Sequence, residues 1–276
     1  MRSRAMVKFG AGKIPNAKRG SAAQAKKFAQ TLRGKKITGF GRSGKFLIIE
    51  ISGGWRLVIH LRMTGQLIFI AGGNLKRPLL LSRAKRAQKE LLPSKHTHVE
   101  IEFSGGGKLF YNDVRKFGHM RLANNRDFEK IMARAGHGMD ALEINAAHFS
   151  NLLNLRPQKR IKDFLLDQTA IAGIGNIYAD EALFAARISP LRKTGSLAPA
   201  ESLILASAIK KILRTAINHG GSSLKNYVNA RGAAGKFSAR HKVYGKSGKP
   251  CRNCGKPLRA HRIGSRTATF CPNCQR

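Results

Sequence analysis

Acidic residues are scarce in this chain. Among 276 residues, 14 Asp and Glu stand against 52 Lys and Arg, and no acid occurs before Glu50. A formal charge of +38 cannot be neutralised internally, so the expected partner is a polyanion, a nucleic acid before a membrane surface. Cysteine is absent from the first 250 residues, which excludes a disulfide framework spread through the fold and fits a reducing interior. Long apolar runs are also missing. The nearest approach, Leu57–Ala71, is interrupted by His60, Arg62 and Gln66 and falls short of the roughly 20 apolar residues that span a bilayer. The opening stretch Met1–Gln30 is basic and rich in small residues, without the apolar core of a secretory signal. A basic arm, a transit peptide and a start further upstream all fit that composition. No internal repeat of useful length is present.

What is there suffices for two domains or for one domain with appendages, and 42% hydrophobic residues are ample for a core. Ala25–Leu32 reads as a short helix stopped by Gly34. Lys45–Ile51 and Trp55–Leu61, separated by Ser52-Gly53-Gly54, read as a hairpin. His98–Phe103 alternates, and Ser104–Gly107 turns it back into Lys108–Tyr111. These runs predict an antiparallel β domain over residues of about 35–125, interrupted by a basic insertion, Gly72–Lys95, that lacks alternation. Phe128–Ala135 and Glu201–Asn218 read as helices, the second ended by Gly220-Gly221. Ser222–Ser247 is polar, basic and loop-like.

The four cysteines fall in two pairs, Cys251-x-x-Cys254 and Cys271-x-x-Cys274, sixteen residues apart. Four thiolates paired in this way can close a tetrahedron on one structural zinc ion, whereas a redox dithiol needs only one pair. Between the pairs, Leu258–Ile263 and Thr267–Phe270 predict a β-ribbon with Gly264-Ser265-Arg266 at or near its tip. A unit this small depends on the metal for its fold.

Leu165–Arg187 is the stretch around which the rest is organised. Ile161, Leu165, Gln168 and Ala172 recur at helical spacing, Gly173-Ile174-Gly175 breaks the pattern, and Asn176 is placed to cap a second helix. Asp180 and Glu181 stand early in that helix, where negative charge suits its dipole. A glycine turn opening a helix exposes several N–H groups and favours phosphate. The bland alternative is a helical hairpin that only packs.

The wording LLDQ–AGIGNIYADEALF closely resembles the helix–two-turn–helix segment of the formamidopyrimidine-DNA glycosylase/endonuclease VIII family. Five other stretches carry the resemblance in register: Gly44-Lys45-Phe46-Leu47, His60-Leu61-Arg62-Met63-Thr64-Gly65, Lys95-His96-Thr97-His98, Asp113-Val114-Arg115-Lys116-Phe117-Gly118, and the tail Gly264–Gln275. It covers most of Leu32–Arg276. The resemblance implies an α+β protein with an N-terminal antiparallel β-sandwich-like domain, here incomplete, a helical helix–two-turn–helix domain and a C-terminal zinc-finger β-ribbon. The expected divisions are an atypical basic segment 1–24, a β domain 25–125, a helical domain 126–245 and a zinc finger 246–276.

Roles carry over by the same resemblance. Lys45 approaches the phosphate beside the damaged nucleotide, and Arg266 contacts DNA at the lesion and assists elimination; these two are the catalytic candidates. His96, Arg115, Lys159, Lys162, Gly173, Gly175 and Asn176 are the DNA-binding candidates. Met63, Arg115 and Phe117 enter the stack when the base leaves it. Cys251, Cys254, Cys271 and Cys274 hold the zinc. Arg62 stands where the family commonly has glycine, Val114 where it has proline, and Gly136–Met139 replaces a proline- and glutamate-containing turn. The family's catalytic N-terminal proline, followed by glutamate, has no counterpart: the chain begins Met1-Arg2-Ser3-Arg4, its first proline is Pro15, and residues before about Ala22 align with nothing, so the leading strand and helix are expected to be missing.

Three readings follow. One is a base-excision glycosylase with apurinic/apyrimidinic lyase activity, removing 8-oxoguanine or formamidopyrimidine from duplex DNA. Another is a damaged-DNA binder on the same scaffold, which the missing proline and glutamate favour for the chain as written. The third is a basic zinc-ribbon RNA-binding protein, against which the Met63, Arg115 and Phe117 set argues. The expected partner is double-stranded DNA with oxidised or abasic sites, bound by a monomer in a bacterial-type cytoplasm or nucleoid and without a membrane.

Overall fold

The computed structural model describes residues 5–8, 22–72, 92–224 and 227–276. Most of the expected N-terminal segment and of the basic insertion, including Pro15 and residues 73–91, lies outside the described residues.

The chain divides into two compact units, 1–132 with 220–238, and 133–219 with 239–276. In the first, strand β1 (Ala5–Lys8) precedes helix α1 (Ala22–Leu32) and strands β2 (Ile37–Ser43), β3 (Phe46–Ile51), β4 (Trp55–His60), β5 (Gly65–Ile70), β6 (Thr97–Phe103), β7 (Lys108–Asp113) and β8 (His119–Asn124). They form two antiparallel four-stranded sheets, ordered β1-β6-β7-β5 and β2-β3-β4-β8. The expectation of a missing leading strand and helix is corrected here. Residues that read as a basic arm include β1, antiparallel to β6 with Ala5 opposite Phe103, and α1 leads into β2.

Alternation explains the sandwich. Ile49, Ile51, Leu57 and Ile59 from one sheet meet Val99, Ile101, Phe103 and Tyr111 from the other, with Leu32 of α1 among them. Burying a side chain of this size contributes about 1.5–3 kcal/mol. Segment 220–238 follows the helical region in sequence, yet it packs with the β unit: Val228 is buried against Ile68, and the Phe69 N–H donates to the Ala230 carbonyl at 2.9 Å. It occupies hydrogen-bonding capacity on β5, which is an edge strand.

Helix α2 (Asn125–Ala135) leads towards the second unit. That unit comprises strand β9 (Met139–Asp140), helices α3 (Ala146–Asn154) and α4 (Ile161–Leu166), strand β10 (Ile171–Ala172), helices α5 (Asn176–Ala185) and α6 (Pro199–Asn218), and strands β11 (Arg259–Ile263) and β12 (Arg266–Phe270). Its core joins Phe149 and Leu153 of α3, Ile161, Phe164 and Leu165 of α4, Ala179, Ala182 and Leu183 of α5, and Leu205 and Ile209 of α6. In place of the usual turn, Gly138 abuts the Ala170 carbonyl so closely that a Cβ would lie 2.1 Å from its oxygen; the adjoining short strand β9 pairs parallel with β10. No helix among the described residues is long and apolar enough to cross a membrane.

Candidate nucleic-acid interface and zinc site

In the first unit, one rim of the sandwich presents three of the expected residues together. Arg115 directs Nη1 to 3.3 Å from the Met63 sulfur and sets its guanidinium 4.5 Å from the centre of the Phe117 ring. Met63 is 62% and Phe117 50% exposed. Exposed apolar side chains gathered on a positively charged rim call for a partner, whereas a single one needs no explanation.

The seat of this group is a residue to which the sequence assigned no role. Asp113 ends β7 fully buried. Its Oδ1 accepts from the Thr64 hydroxyl and from the Arg115 N–H at 3.2 Å. Its Oδ2 accepts from the Gly118 N–H at 2.7 Å, with the Tyr111 hydroxyl at 3.4 Å. Burial, reinforced by Asp113, keeps that phenol protonated far above its ordinary range. The loop bearing Met63 and the loop bearing Arg115 and Phe117 thus hang on one carboxylate. Arg62 and Lys116 adopt left-handed backbone there, φ 51° and 57°. Gly118 has to be glycine, since a Cβ would fall 2.2 Å from the Tyr111 oxygen. The Pro-to-Val departure at Val114 leaves this arrangement intact.

Lys45 is exposed in the β2–β3 turn, beside a buried Gly44 whose carbonyl accepts from Arg42 at 2.9 Å. His96 is half-buried; its carbonyl accepts from the Asp113 N–H at 3.0 Å, and its own N–H donates to the Ser94 hydroxyl oxygen at 3.2 Å. The neighbouring His98 is buried and donates from Nε2 to the Asp113 carbonyl at 2.8 Å.

In the second unit the first helix of the hairpin is shorter than its spacing suggests. It ends at Leu166, so Gln168 lies in the turn and Ala172 in the short strand β10. Gln168 holds that turn: Nε2 donates to the Leu166 and Ile174 carbonyls at 2.9 and 3.0 Å, and Oε1 accepts from the Gly173 N–H at 3.0 Å. Gly173 takes φ 105°. Asp167 receives Lys159 at 2.6 Å together with Arg156 and Thr169. Burial alone would raise its pKa, but Lys159 and Thr169 outweigh it and hold the carboxyl well below the usual range. Lys159 is therefore an ion-paired cation at the mouth of the turn, about a third exposed.

Three expectations are corrected in this hairpin. Gly175, not Asn176, is the N-cap of α5; Asn176 is its first residue and donates from Nδ2 to the Thr267 carbonyl at 3.3 Å. Asp180 and Glu181 are buried rather than placed for the helix dipole. Lys162 is not presented to a ligand at all: its side chain is fully buried, with Nζ 2.6 Å from Asp180 Oδ1 and 2.6 Å from the Thr267 carbonyl. Glu181 accepts from the Lys242, Val243 and Tyr244 N–H groups at 2.8–3.0 Å.

The ribbon forms as β11 and β12, with Arg266 opposite Ile263 and Gly264 at the turn in φ 54°. Arg266 opens β12 and is exposed. The four cysteine sulfurs lie within 4.8 Å of one another, Cys251 to Cys274 at 4.0 Å and Cys254 to Cys271 at 3.5 Å. Zn–S bonds of about 2.3 Å in a tetrahedron require sulfurs about 3.8 Å apart, so the cluster fits one zinc ion. The Asn253 and Cys274 N–H groups point at the Cys251 and Cys271 sulfurs, both at 3.4 Å, the arrangement that supports bound thiolates. Four protein ligands leave no open position, which makes the site structural.

Comparison with known proteins agrees along the chain. The family model described as formamidopyrimidine-DNA glycosylase N-terminal domain matches residues 8–120, which corrects the expectation that the residues before about Ala22 have no counterpart. The corresponding H2TH domain matches 138–228, and a zinc finger found in FPG and IleRS matches 248–276. A formamidopyrimidine-DNA glycosylase of Pelotomaculum thermopropionicum is 37% identical over 250 residues, 90% of this chain and 84% of that protein. One of Solibacter usitatus is 41% identical over 246 residues, covering 89% and 83%. Among solved structures, the complex of Lactococcus lactis Fpg with DNA containing an abasic site superposes with a TM-score of 0.80 at 32% identity, covering 99% of this chain and 92% of that one. A mutant of the Lactococcus lactis protein with Fapy-dG-containing DNA superposes equally well, TM-score 0.80 at 31% identity, with the same coverage.

Proposed function

The chain belongs to the formamidopyrimidine-DNA glycosylase family, and we propose that it acts in base-excision repair, flipping 8-oxoguanine or formamidopyrimidine out of duplex DNA, cutting its glycosidic bond and then cleaving the abasic strand as a lyase. The observation that carries this reading is the grouping of Met63, Arg115 and Phe117 on one exposed rim. Extruding a base costs a few kcal/mol of stacking and pairing. An apolar wedge fills the gap left in the stack, and an arginine offers hydrogen bonds to the orphaned partner base. A protein that binds single-stranded or structured RNA has no use for such a wedge.

The other side chains take the remaining tasks in this proposal. Lys45 and His96 meet the phosphates flanking the lesion. The turn around Gly173 and Gly175 offers N–H groups at the start of α5, with Asn176 and Lys159 beside them, and holds the backbone on the same principle as other helix N-termini. Arg266 reaches the lesion strand from the ribbon and stabilises charge during elimination. Lys162 leaves the set of DNA contacts because it is buried. Zinc, when bound, orders the ribbon and takes no part in the chemistry. The protein works as a monomer in the cytoplasm or on the nucleoid.

Fluorescence anisotropy with matched duplexes, one intact and one bearing a tetrahydrofuran abasic analogue, tests the binding half. The wild type should prefer the abasic duplex, and Arg115→Ala and Met63→Ala should each reduce that preference at least tenfold while changing affinity for intact duplex little. Affinity for both should fall with salt at a log–log slope of about −0.9 per phosphate neutralised. Equal affinities for the two duplexes in the wild type would refute the wedge. Borohydride trapping of the native protein on an 8-oxoguanine duplex tests the chemistry. A covalent adduct is expected, and mass analysis of its peptide identifies the attacking amine. Selective binding without product or adduct would leave a binder and remove the lyase.

A further inference from the structure

A lysine with no exposed side-chain surface is rare, and this one is paired with an aspartate that has none either. Moving both charges out of water costs several kcal/mol per ion, and attraction offsets that cost only where every remaining donor and acceptor is also used. Here they are used in a specific way. Lys162 lies on α4 and Asp180 on α5, the two helices of the hairpin. Lys162 Nζ donates both to Asp180 Oδ1 and to the Thr267 carbonyl. Asp180 Oδ2 accepts from the Thr269 N–H at 3.1 Å. Asn176 adds a second donor to the Thr267 carbonyl. Three elements therefore meet at the pair: both hairpin helices, and strand β12 at alternate residues immediately after Arg266.

We infer that Lys162 and Asp180 are positioning residues that seat β12 on the helical hairpin and so fix where Arg266 and the hairpin turn stand relative to each other. Neither side chain touches DNA. The pair acts through the Thr267 carbonyl and the Thr269 N–H, one residue and three residues beyond Arg266. Burial raises the Asp180 carboxyl to about 6 despite the lysine beside it, and lowers the lysine. Both directions agree that the junction is costly as a source of stability alone. The inference rests on the proposed role of Arg266 as a DNA contact.

The test compares three variants for zinc content, for backbone amide exchange over residues 266–270, and for affinity to the abasic-analogue duplex. Asp180→Asn removes one charge. The double variant K162M/D180M removes both while keeping apolar bulk, so no unpaired buried charge is left, and its zinc content reports whether the ribbon is folded. Arg266→Ala removes the group being positioned. With zinc still bound at one per chain, K162M/D180M should speed exchange at Thr269 at least tenfold and weaken abasic-duplex binding about tenfold. Adding Arg266→Ala to it should cost less than twofold more, because the arginine is no longer held in place. A K162M/D180M protein with wild-type exchange and wild-type affinity would overturn the inference, as would losses that simply multiply with those of Arg266→Ala. If Arg266→Ala alone leaves affinity unchanged, the proposed role of Arg266 fails, while the exchange measurement still decides whether the pair seats the strand.

Discussion

Asp113→Asn is the sharpest probe of how the wedge is held. The substitution preserves shape but replaces one carboxylate oxygen with an NH₂ group. In the native structure both oxygens accept: Oδ1 from Thr64 and the Arg115 N–H, Oδ2 from the Gly118 N–H and, more weakly, Tyr111. Whichever way the amide is turned, one N–H donor from the loop faces another donor. A hydrogen bond to a charged group contributes about 1.5–3 kcal/mol, and a buried donor left without an acceptor costs about 1–3 kcal/mol. Losing one of the strong contacts and straining its neighbour gives about 3 kcal/mol, confined to the β unit. Urea unfolding followed through Trp55, which lies in β4 of that unit, should show this loss. At urea concentrations well below the transition, the folded variant should prefer the abasic over the intact duplex at least tenfold less than wild type, because Met63 and Arg115 no longer share a seat. Unchanged stability together with unchanged discrimination would refute the claim that one carboxylate organises both loops.

Elemental analysis should find one zinc per wild-type chain and none in Cys254→Ser, which should also bind the abasic duplex at least tenfold more weakly, since β11 and β12 lie between the cysteine pairs; retention of one zinc per chain by the variant would contradict a four-thiolate site. Stability should also depend on His119. Burial, with Arg121 and Arg62 adding repulsion, pushes its imidazole down from 6.5 to about 4. A histidine depressed in the folded state contributes stability that is present above pH 6.5 and lost as the pH falls towards 4, about 3 kcal/mol in full. Urea titrations at pH 7 and pH 4 should therefore show wild type losing about 3 kcal/mol more than His119→Gln across that interval, and parallel losses would rule the histidine out.

Features that depend on neighbouring residues in the chain were readable from sequence. The β3–β4 hairpin follows from two apolar-rich runs parted by Ser52-Gly53-Gly54, the ribbon from two short runs either side of Gly264, and the zinc site from two Cys-x-x-Cys pairs. What sequence conveys poorly is where a polar side chain points. Lys162 reads as a surface cation because nearly every lysine is one; its partners lie 18 and 105 residues further along. Asn176 has the chemistry of a cap, but with Gly175 taking that place its amide turns to the ribbon instead. Gln168 fits a helical face by spacing, yet the helix ends before it and its amide closes the turn. Strand β1 has only four residues and no alternation long enough to stand out from its basic surroundings. Ser222–Ser247 reads as a loop; what the sequence does not convey is that Ala230 pairs with Phe69 of β5, more than 150 residues earlier in the chain.

The scarcity of acids acquires a physical meaning once their positions are known. Several acids stay at the surface, Glu50, Asp127, Glu129 and Glu143 among them. Asp113, Asp180 and Glu181, by contrast, are each at most 2% exposed. Each accepts backbone N–H groups from a different element: Asp113 from the wedge loop, Asp180 from β12, Glu181 from the turn at 242–244. A carboxylate is suited to this because it accepts from several donors at once and the bonds are strengthened by its charge. Lysine and arginine have no acceptor and cannot do the same for an N–H group. The division of labour is thus chemical. Cations such as Lys45, Arg115 and Arg266 face outward, where phosphate is the proposed ligand, whereas Lys162 is buried, and three buried anions set the backbone of segments that include those carrying Met63, Arg115, Phe117 and Arg266. It follows that neutralising one of these acids should damage recognition more than removing any single surface lysine, although it makes the protein more positive.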